Sequence, residues 1–368
     1  MNRGSGETRG GVNLPALRGY NEALVLDLLR AAGPAGRGRA ELAARTGLTP
    51  QAVSKIMVRL AAEGLVAEAG RAASTGGKPR TLLRLEAGAR HAVGVHLDRD
   101  ELRAVRVDLA GGVLAECAGP LDFGAGPDAV VAAVVRAVGR VCDPAGPPLL
   151  GVGAAAPGPL DHRAGVMGRV TGFPSWEGFP LREVLEGWLG LPVLLDKDTN
   201  AGAAGAGPAP RSWPAAGGAA EAGASVYLHV ASGLGAGLRL DGEVYRGARS
   251  AAGEFGHQVL QLDGPRCRCG ARGCAEVLCL AAVARADLPE AARIVGEGAA
   301  NLVALLDVER VVLGGRVVAA APEVFVSGVR AVLAARALTQ PPPEVAVAAT
   351  GVAEGAAQLL LAPFFGRT

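Results

Sequence analysis

The chain has 368 residues, half of them apolar and 4% aromatic, with a formal net charge of +2, enough for two or three domains with sizeable cores. No apolar run reaches the length of a membrane span, and the opening MNRGSGETRGG lacks the apolar segment of a signal peptide, so a cytoplasmic protein that does not enter membranes is expected. In that compartment the six cysteines are expected to be metal ligands or buried thiols rather than disulfides.

Charge is unevenly placed. Residues 1–90 hold 14 Lys and Arg against 7 Asp and Glu, while the other 278 hold 23 against 28. A basic head on a mildly acidic body suggests that the head meets a polyanion. Within it, 20–29 (YNEALVLDLL) reads as a helix and 39–45 as a second, shorter one. Thr46-Gly47-Leu48 is a tight turn, and Thr49-Pro50 an N-cap followed by proline at the first helical position. The next helix, 50–62, turns Val53, Ile56, Met57 and Leu60 inward and leaves Gln51, Ser54, Lys55 and Arg59 outside. That is a helix-turn-helix with a polar, cationic recognition helix. Two strands at 64–66 and 81–85 flank a basic, glycine-rich loop, a wing that carries Arg71, Lys78 and Arg80 for phosphate or minor-groove contact.

From about residue 91 the pattern becomes α/β. Strands are expected at 91–97, 102–109, 113–118, 150–155, 193–195, 225–230 and 308–313, and helices at 127–141 and 181–189. Residues 207–223 are low in complexity and read as a loop. Several strands run into glycine-rich turns, Ser232–Gly237 and Gly314-Gly315 among them, which suits phosphate cradles. Gly253-Glu254-Phe255-Gly256-His257 and Cys267-Arg268-Cys269-Gly270-Ala271-Arg272-Gly273-Cys274-Ala275-Glu276 follow. One His with a C-x-C-x4-C cluster completes a closed tetrahedral site for structural Zn2+, with His257, Cys267, Cys269 and Cys274 as ligands. The same loop aims Glu254 and Glu276. Cys117, Cys142 and Cys279 stand outside the cluster and are expected in the core.

With these motifs in place, from about Leu17 to Ala362 the chain resembles the ROK family (repressors, open reading frames, sugar kinases), in its repressor branch with an N-terminal winged helix. The resemblance implies a two-lobed actin-like, hexokinase-like (ribonuclease H-like) body around a sugar-binding cleft, assembled as a homodimer or homotetramer. It implies domains at 19–88 (winged helix-turn-helix, after a tail at 1–18) and 89–368 (kinase-like sensor with its zinc loop at 253–276). Asp198 matches the base that takes a proton from the sugar hydroxyl in the kinases, and Glu254, His257 and Glu276 match sugar contacts. Ser232–Gly237 matches the second phosphate loop, and Gly314-Gly315 the adenosine side.

The chain departs from the kinase pattern where they carry Asp-x-Gly-Gly-Thr. Here His96-Leu97-Asp98-Arg99-Asp100 has lost both glycines and brings two carboxylates toward a triphosphate. Lys197 and Gly172 replace two asparagines of the sugar site, leaving Trp176 as the stacking candidate near the cleft. The expectation is a transcriptional repressor of sugar metabolism genes that has lost phosphoryl transfer. Its partners are operator DNA, read by Thr49, Gln51, Ser54 and Lys55 with Arg59 and the wing on the backbone, and a small sugar effector. The alternatives are a sugar kinase that keeps a DNA-binding head and a ligand-independent DNA-binding regulator.

Overall fold

A computed structural model describes residues 14–71, 80–206, 223–338 and 340–367, with side chains from Gly19 onward. The chain divides into two compact units. One runs from the N-terminus to Glu86 and takes in the C-terminal turn that begins at Ala362; the other carries most of the rest, from Ala87 to Leu361.

In the first unit, α1 (Leu14–Ala32) is followed by β1 (Arg37–Gly38), α2 (Arg39–Thr46), α3 (Pro50–Ala62), β2 (Val66–Arg71) and β3 (Thr81–Leu85). Helix α2 stops at Gly47, whose φ of 70° is a left-handed conformation open to glycine. Helix α3 starts where Thr49 caps it, its hydroxyl accepting from Ala52 N, with Pro50 in the first turn. Val53, Ile56, Met57 and Leu60, spaced at one helical face, are buried. The wing has a third strand that the sequence reading lacks: the two residues of β1 pair with Leu83 and Leu82 of β3, giving the order β1-β3-β2. Asp27 is buried on α1 because Arg367 Nη2 donates to both of its oxygens, at 2.8 and 2.9 Å.

The second unit is built on two five-stranded sheets. The first has the order β10-β7-β4-β5-β6 and is formed by β4 (His91–Leu97), β5 (Glu101–Asp108), β6 (Val113–Pro120), β7 (Leu149–Ala156) and β10 (Val193–Lys197). Helices α4 (Pro127–Val141) and α5 (Leu181–Leu189) belong to its core, and a short hairpin, β8 (Leu160–Asp161) with β9 (Val166–Met167), lies between β7 and α5. After α6 (Asp198–Ala206) the second sheet, ordered β13-β12-β11-β14-β15, comprises β11 (Ser225–Val230), β12 (Leu234–Leu240), β13 (Glu243–Tyr245), β14 (Arg310–Gly314) and β15 (Glu344–Val347). It carries α7 (Ala275–Ala284), α8 (Leu288–Leu306), α9 (Arg316–Ala320) and α10 (Pro322–Arg336), and α11 (Val352–Leu361) closes the unit.

Helix α6 packs on β11 and β12, α11 packs on β4 and β7, and the two helices meet each other between the sheets. The fit leaves no room for side chains. A Cβ on Gly153 would lie 2.1 Å from Ala356 O, and one on Gly355 would lie 1.9 Å from Ala201 O. The glycine and alanine content here therefore has a packing cause as well as a compositional one. Strand β4 is buried on both faces, between α4 and α11, although it carries His91 and His96.

Candidate functional site

The cleft lies where strands end. Strands β4, β7 and β10 run parallel, and the residues at or just past their C-terminal ends, Asp98-Arg99, Pro157-Gly158 and Lys197-Asp198, line one cavity of about 70 Å3. Ser232-Gly233 at the end of β11 closes it from the second sheet, joined by Glu254, His257 and Glu276. Strand ends in parallel sheets are the usual place for a ligand, because loops there are free to vary while the sheet holds their roots. All four residues assigned to sugar contact, Asp198, Glu254, His257 and Glu276, thus come together on this cavity.

Their surroundings differ. Burial pushes the Asp198 carboxyl up to about 7, against the pull of the Lys197 charge and a hydrogen bond from Thr199 N. Glu276 accepts from Leu234 N at 3.1 Å and faces Arg99 at 3.8 Å. Glu254, 41% exposed, pairs at 3.3 Å with Lys197, whose side chain is only 4% exposed and also donates to Ala252 O. Asp196 is buried, held by Arg246 and Asn200.

The turn His96–Asp100 is occupied by the chain's own ion pairs. Arg316 of α9 donates to Asp100 at 2.6 Å and lies 4.0 Å from Asp98. Arg99 donates to Ser232 O, and Ser232 Oγ to Asp98. The two carboxylates expected to stand toward a triphosphate are paired with Arg316. Burial and the neighbouring His229 ring push His96 down to about 3, and burial lowers His229 as well, so both are neutral at physiological pH. The sequence reading missed Arg99, Thr199 and His229 as lining residues. Arg99 and Thr199 stand just after strand ends and His229 is the next-to-last residue of β11, and that placement is the signal that could have found them. Ser232–Gly237 is mostly strand: Leu234–Leu240 forms β12, leaving Ser232-Gly233 as the turn of a hairpin. Trp176 is a correction. It is fully buried and stacked on Phe123 at 4.3 Å in the core of the first sheet, so it stacks on no ligand.

His257, Cys267, Cys269 and Cys274 converge, with one potential ligand atom from each and all four within 4.8 Å of one another. His257 Nδ1 is 3.8 Å from Cys267 Sγ, and Cys269 Sγ is 3.7 Å from Cys274 Sγ. A tetrahedral ion with Zn–S bonds near 2.3 Å has ligand–ligand edges of about 3.8 Å, so the donors fit such an ion. Cys274 also precedes α7, whose second residue is Glu276, and His257 ends the short helical turn that begins after Glu254. The cluster therefore fixes both segments that bring carboxylates to the cleft. Cys279 is buried in the core, and Cys117 and Cys142 are half-buried.

On the first unit, Gln51, Ser54 and Lys55 are exposed along one face of α3. Val58, 68% exposed, extends the same face at helical spacing. The Thr49 hydroxyl is taken by the cap, and Arg59 is paired with Glu22. Arg71 and Arg80 are exposed at the two ends of the wing loop, and Lys78 lies outside the described residues.

Two sheets around two packed helices, with a cleft at their strand ends, are the architecture of the sugar kinases and their actin-like relatives. Residues 93–282 match the ROK family, and the chain belongs to it. A ROK hexokinase from Thermus thermophilus is 32% identical over 73% of this chain and 97% of its own, with a TM-score of 0.56. The structure of a ROK family transcriptional regulator, a homologue of the E. coli MLC protein, covers 95% of this chain and 97% of its own at a TM-score of 0.74 and 20% identity, a likeness of fold. The xylose repressor of Bacillus spizizenii is 28% identical over 243 residues, 65% of this chain. The match spans 60% of that repressor's length. No helix among the described residues is long and apolar enough to cross a membrane.

Proposed function

We propose that the chain is a DNA-binding transcriptional regulator, a repressor of sugar metabolism genes, whose kinase-like unit senses a sugar or sugar derivative without transferring phosphate. The observation that carries this reading is the conjunction of a winged helix-turn-helix with a kinase-like cleft whose phosphate turn is filled by Arg316, Asp100, Asp98 and Ser232. Phosphoryl transfer depends on positioning and on neutralising the triphosphate, and here the cations are committed to the protein's own carboxylates. Similarity to a xylose repressor supports the DNA-binding half of the reading.

In this reading Gln51, Ser54 and Lys55 meet base edges or nearby phosphates in the major groove, and Arg71, Lys78 and Arg80 meet the backbone or minor groove. Thr49 orders the helix, and Arg59 reaches DNA only by leaving Glu22. A homodimer or homotetramer presents paired heads to a near-palindromic operator. His257, Cys267, Cys269 and Cys274 hold a structural Zn2+, which supplies rigidity and no chemistry. Asp198, Glu254, His257 and Glu276 accept or donate hydrogen bonds to the sugar, in the cytoplasm where such operators lie.

The test is fluorescence anisotropy with DNA from the chain's own promoter region, with and without sugars. Specific, salt-sensitive binding that one sugar shifts is the expected result; binding no tighter than to random DNA sinks the reading. A second reading is a sugar kinase with a DNA-binding head, favoured by Asp198, whose carboxyl titrates near 7 as a general base should. ADP release with an aldose, abolished in Asp198→Ala, would establish that reading instead.

A further inference from the structure

Among the described residues the chain passes between its two units twice, once between Glu86 and Ala87 and once between Leu361 and Ala362. Both passages are short and pinned. At the first, Glu86 N donates to Leu65 O at 2.9 Å and Leu109 N donates to Ala87 O at 3.0 Å. Strand β4 starts soon after, at His91, and the turn that follows it brings Asp98 and Arg99 to the cleft. At the second, α11 ends at Leu361 and the helical turn Ala362–Phe365 begins at the next residue. Both connections to the head therefore start from elements packed on each other, since α11 lies on β4.

The C-terminal turn is anchored on α1. Arg367 Nη2 reaches both oxygens of the buried Asp27. Phe365 is buried too, and the Arg30 guanidinium stands 4.6 Å from its ring centre. Desolvation offsets the attraction in a buried ion pair, but breaking the pair is costly, so the turn is held at one place. Helix α1 packs on α2 and α3, which puts the anchor on the body of the helix-turn-helix. Toward the cleft, α11 has no slack. A Cβ on Gly94 of β4 would run into Ala353 O, and Gly153 and Gly355 are held as closely by Ala356 and by Ala201 of α6. Close-packed backbones transmit a displacement rather than absorb it. Helix α6 opens with Asp198, which lines the cleft.

We propose that α11 and the C-terminal turn carry the state of the cleft to the DNA-binding head, with the pair of Arg367 and Asp27 as their anchor on α1. This rests on the sensor reading above and names how its site is read out. A sugar held by Asp198 shifts α6, α6 carries α11 with it, and the turn moves α1. With the anchor broken, the described chain joins the head to the cleft only through residues 86 and 87, and a movement of α11 no longer reaches α1. An effect of sugar on DNA binding that runs through one element is lost when that element is detached, although each ligand still binds by itself.

The experiment compares the full zinc-replete chain with Arg367→Asp, which sets two carboxylates against each other, and with a chain ended after Leu361, which leaves Asp27 open to water. Anisotropy with DNA from the chain's own promoter region and calorimetry with xylose, glucose and N-acetylglucosamine give each affinity alone and in the presence of the other ligand. In the unaltered chain one sugar is expected to change DNA affinity about tenfold or more, and DNA to change the affinity for that sugar by the same factor. Both altered forms should still bind DNA and sugar singly, while the mutual effect falls below about twofold. Arg367→Lys, which keeps the charge, should retain the effect. Circular dichroism and zinc content show that each variant is folded, and Arg367→Asp decides should the shorter chain not fold. A mutual effect unchanged in Arg367→Asp overturns the inference and leaves the sensor reading standing. Loss of DNA binding itself in folded Arg367→Asp also overturns it, because the turn is then part of the DNA-binding fold and not a link. No effect of any of the three sugars on the unaltered chain overturns the sensor reading and the inference with it.

Discussion

Arg316, at the start of α9, and Asp100, in the turn after β4, are joined by a 2.6 Å hydrogen bond that ties the second sheet's side of the cleft to the first. Arg316 is 40% exposed and Asp100 58%, so the pair contributes at most about 1 kcal/mol to stability. Its consequence is for ligands. On the regulator reading proposed above, neither the unaltered chain nor Arg316→Ala is expected to bind a fluorescent ATP analogue with magnesium, since the stretch His96–Asp100 holds no glycine in either. Saturable nucleotide binding by either protein would show that the turn still accepts a triphosphate.

The Cys/His cluster predicts a separation between two cysteine variants. Cys269 is exposed, so Cys269→Ser removes a ligand and little packing. Metal content should fall, the melting temperature should drop as it does with a chelator, and any sugar response should weaken, since the cluster fixes the segments bearing Glu254 and Glu276. Cys279→Ser alters a buried core residue outside the cluster and should lower stability with metal content unchanged. Elemental analysis of both proteins decides this, and full metal in Cys269→Ser would refute the assignment.

Asp198 gives stability a definite pH dependence. Its folded-state carboxyl lies near 7, raised by burial from an ordinary 3.8. Between those values the folded state holds a proton that the unfolded state has lost, so stability falls as pH rises toward and through 7. From pH 6 to pH 8 the group should cost about 1.4 kcal/mol. Urea unfolding of the unaltered chain and of Asp198→Asn at both values isolates it, because the other titrations largely cancel in the comparison. An unchanged difference between the two proteins would place the carboxyl outside this range.

The recognition face predicts three kinds of loss in DNA binding, and its helix cap a fourth in folding. Gln51→Ala or Lys55→Ala should cost about 1–3 kcal/mol on the cognate operator if these side chains reach base edges. Val58→Ala should relax preference for thymine at one position, since a branched apolar side chain contacts its methyl group. Arg71→Ala and Arg80→Ala should weaken all DNA alike and lower the salt slope by about 1 each. Thr49→Ala should act on folding, at about 1 kcal/mol through the lost cap, and bind normally once folded. Anisotropy titrations at several salt concentrations separate the three.

The features legible in the chain were those governed by neighbours in sequence. The helix at 50–62 came out as Pro50–Ala62 because its cap, proline and apolar spacing are local, and the helices at 127–141 and 181–189 likewise coincide with their expected bounds. The His/Cys cluster was legible because three of its four residues lie within eight residues of each other, so that short loops suffice to gather them. Other features depended on contacts between distant segments. Ser232–Gly237 read as a glycine-rich turn, yet Leu234–Leu240 is a strand paired with Ser225–Val230, and a Cβ on Gly237 would lie 1.9 Å from Thr199 O of α6. Trp176 went to the core because Phe123, some fifty residues away in sequence, offered its face. The partners of Asp98, Asp100 and Glu276 are likewise remote. By itself the sequence determined the helices with local caps and spacing, the grouping of His257 with Cys267, Cys269 and Cys274, and the family; the tertiary structure decided which charges neutralise one another in the cleft, because an ion pair depends on distance in space and side chains far apart along the chain have none until the sheets come together.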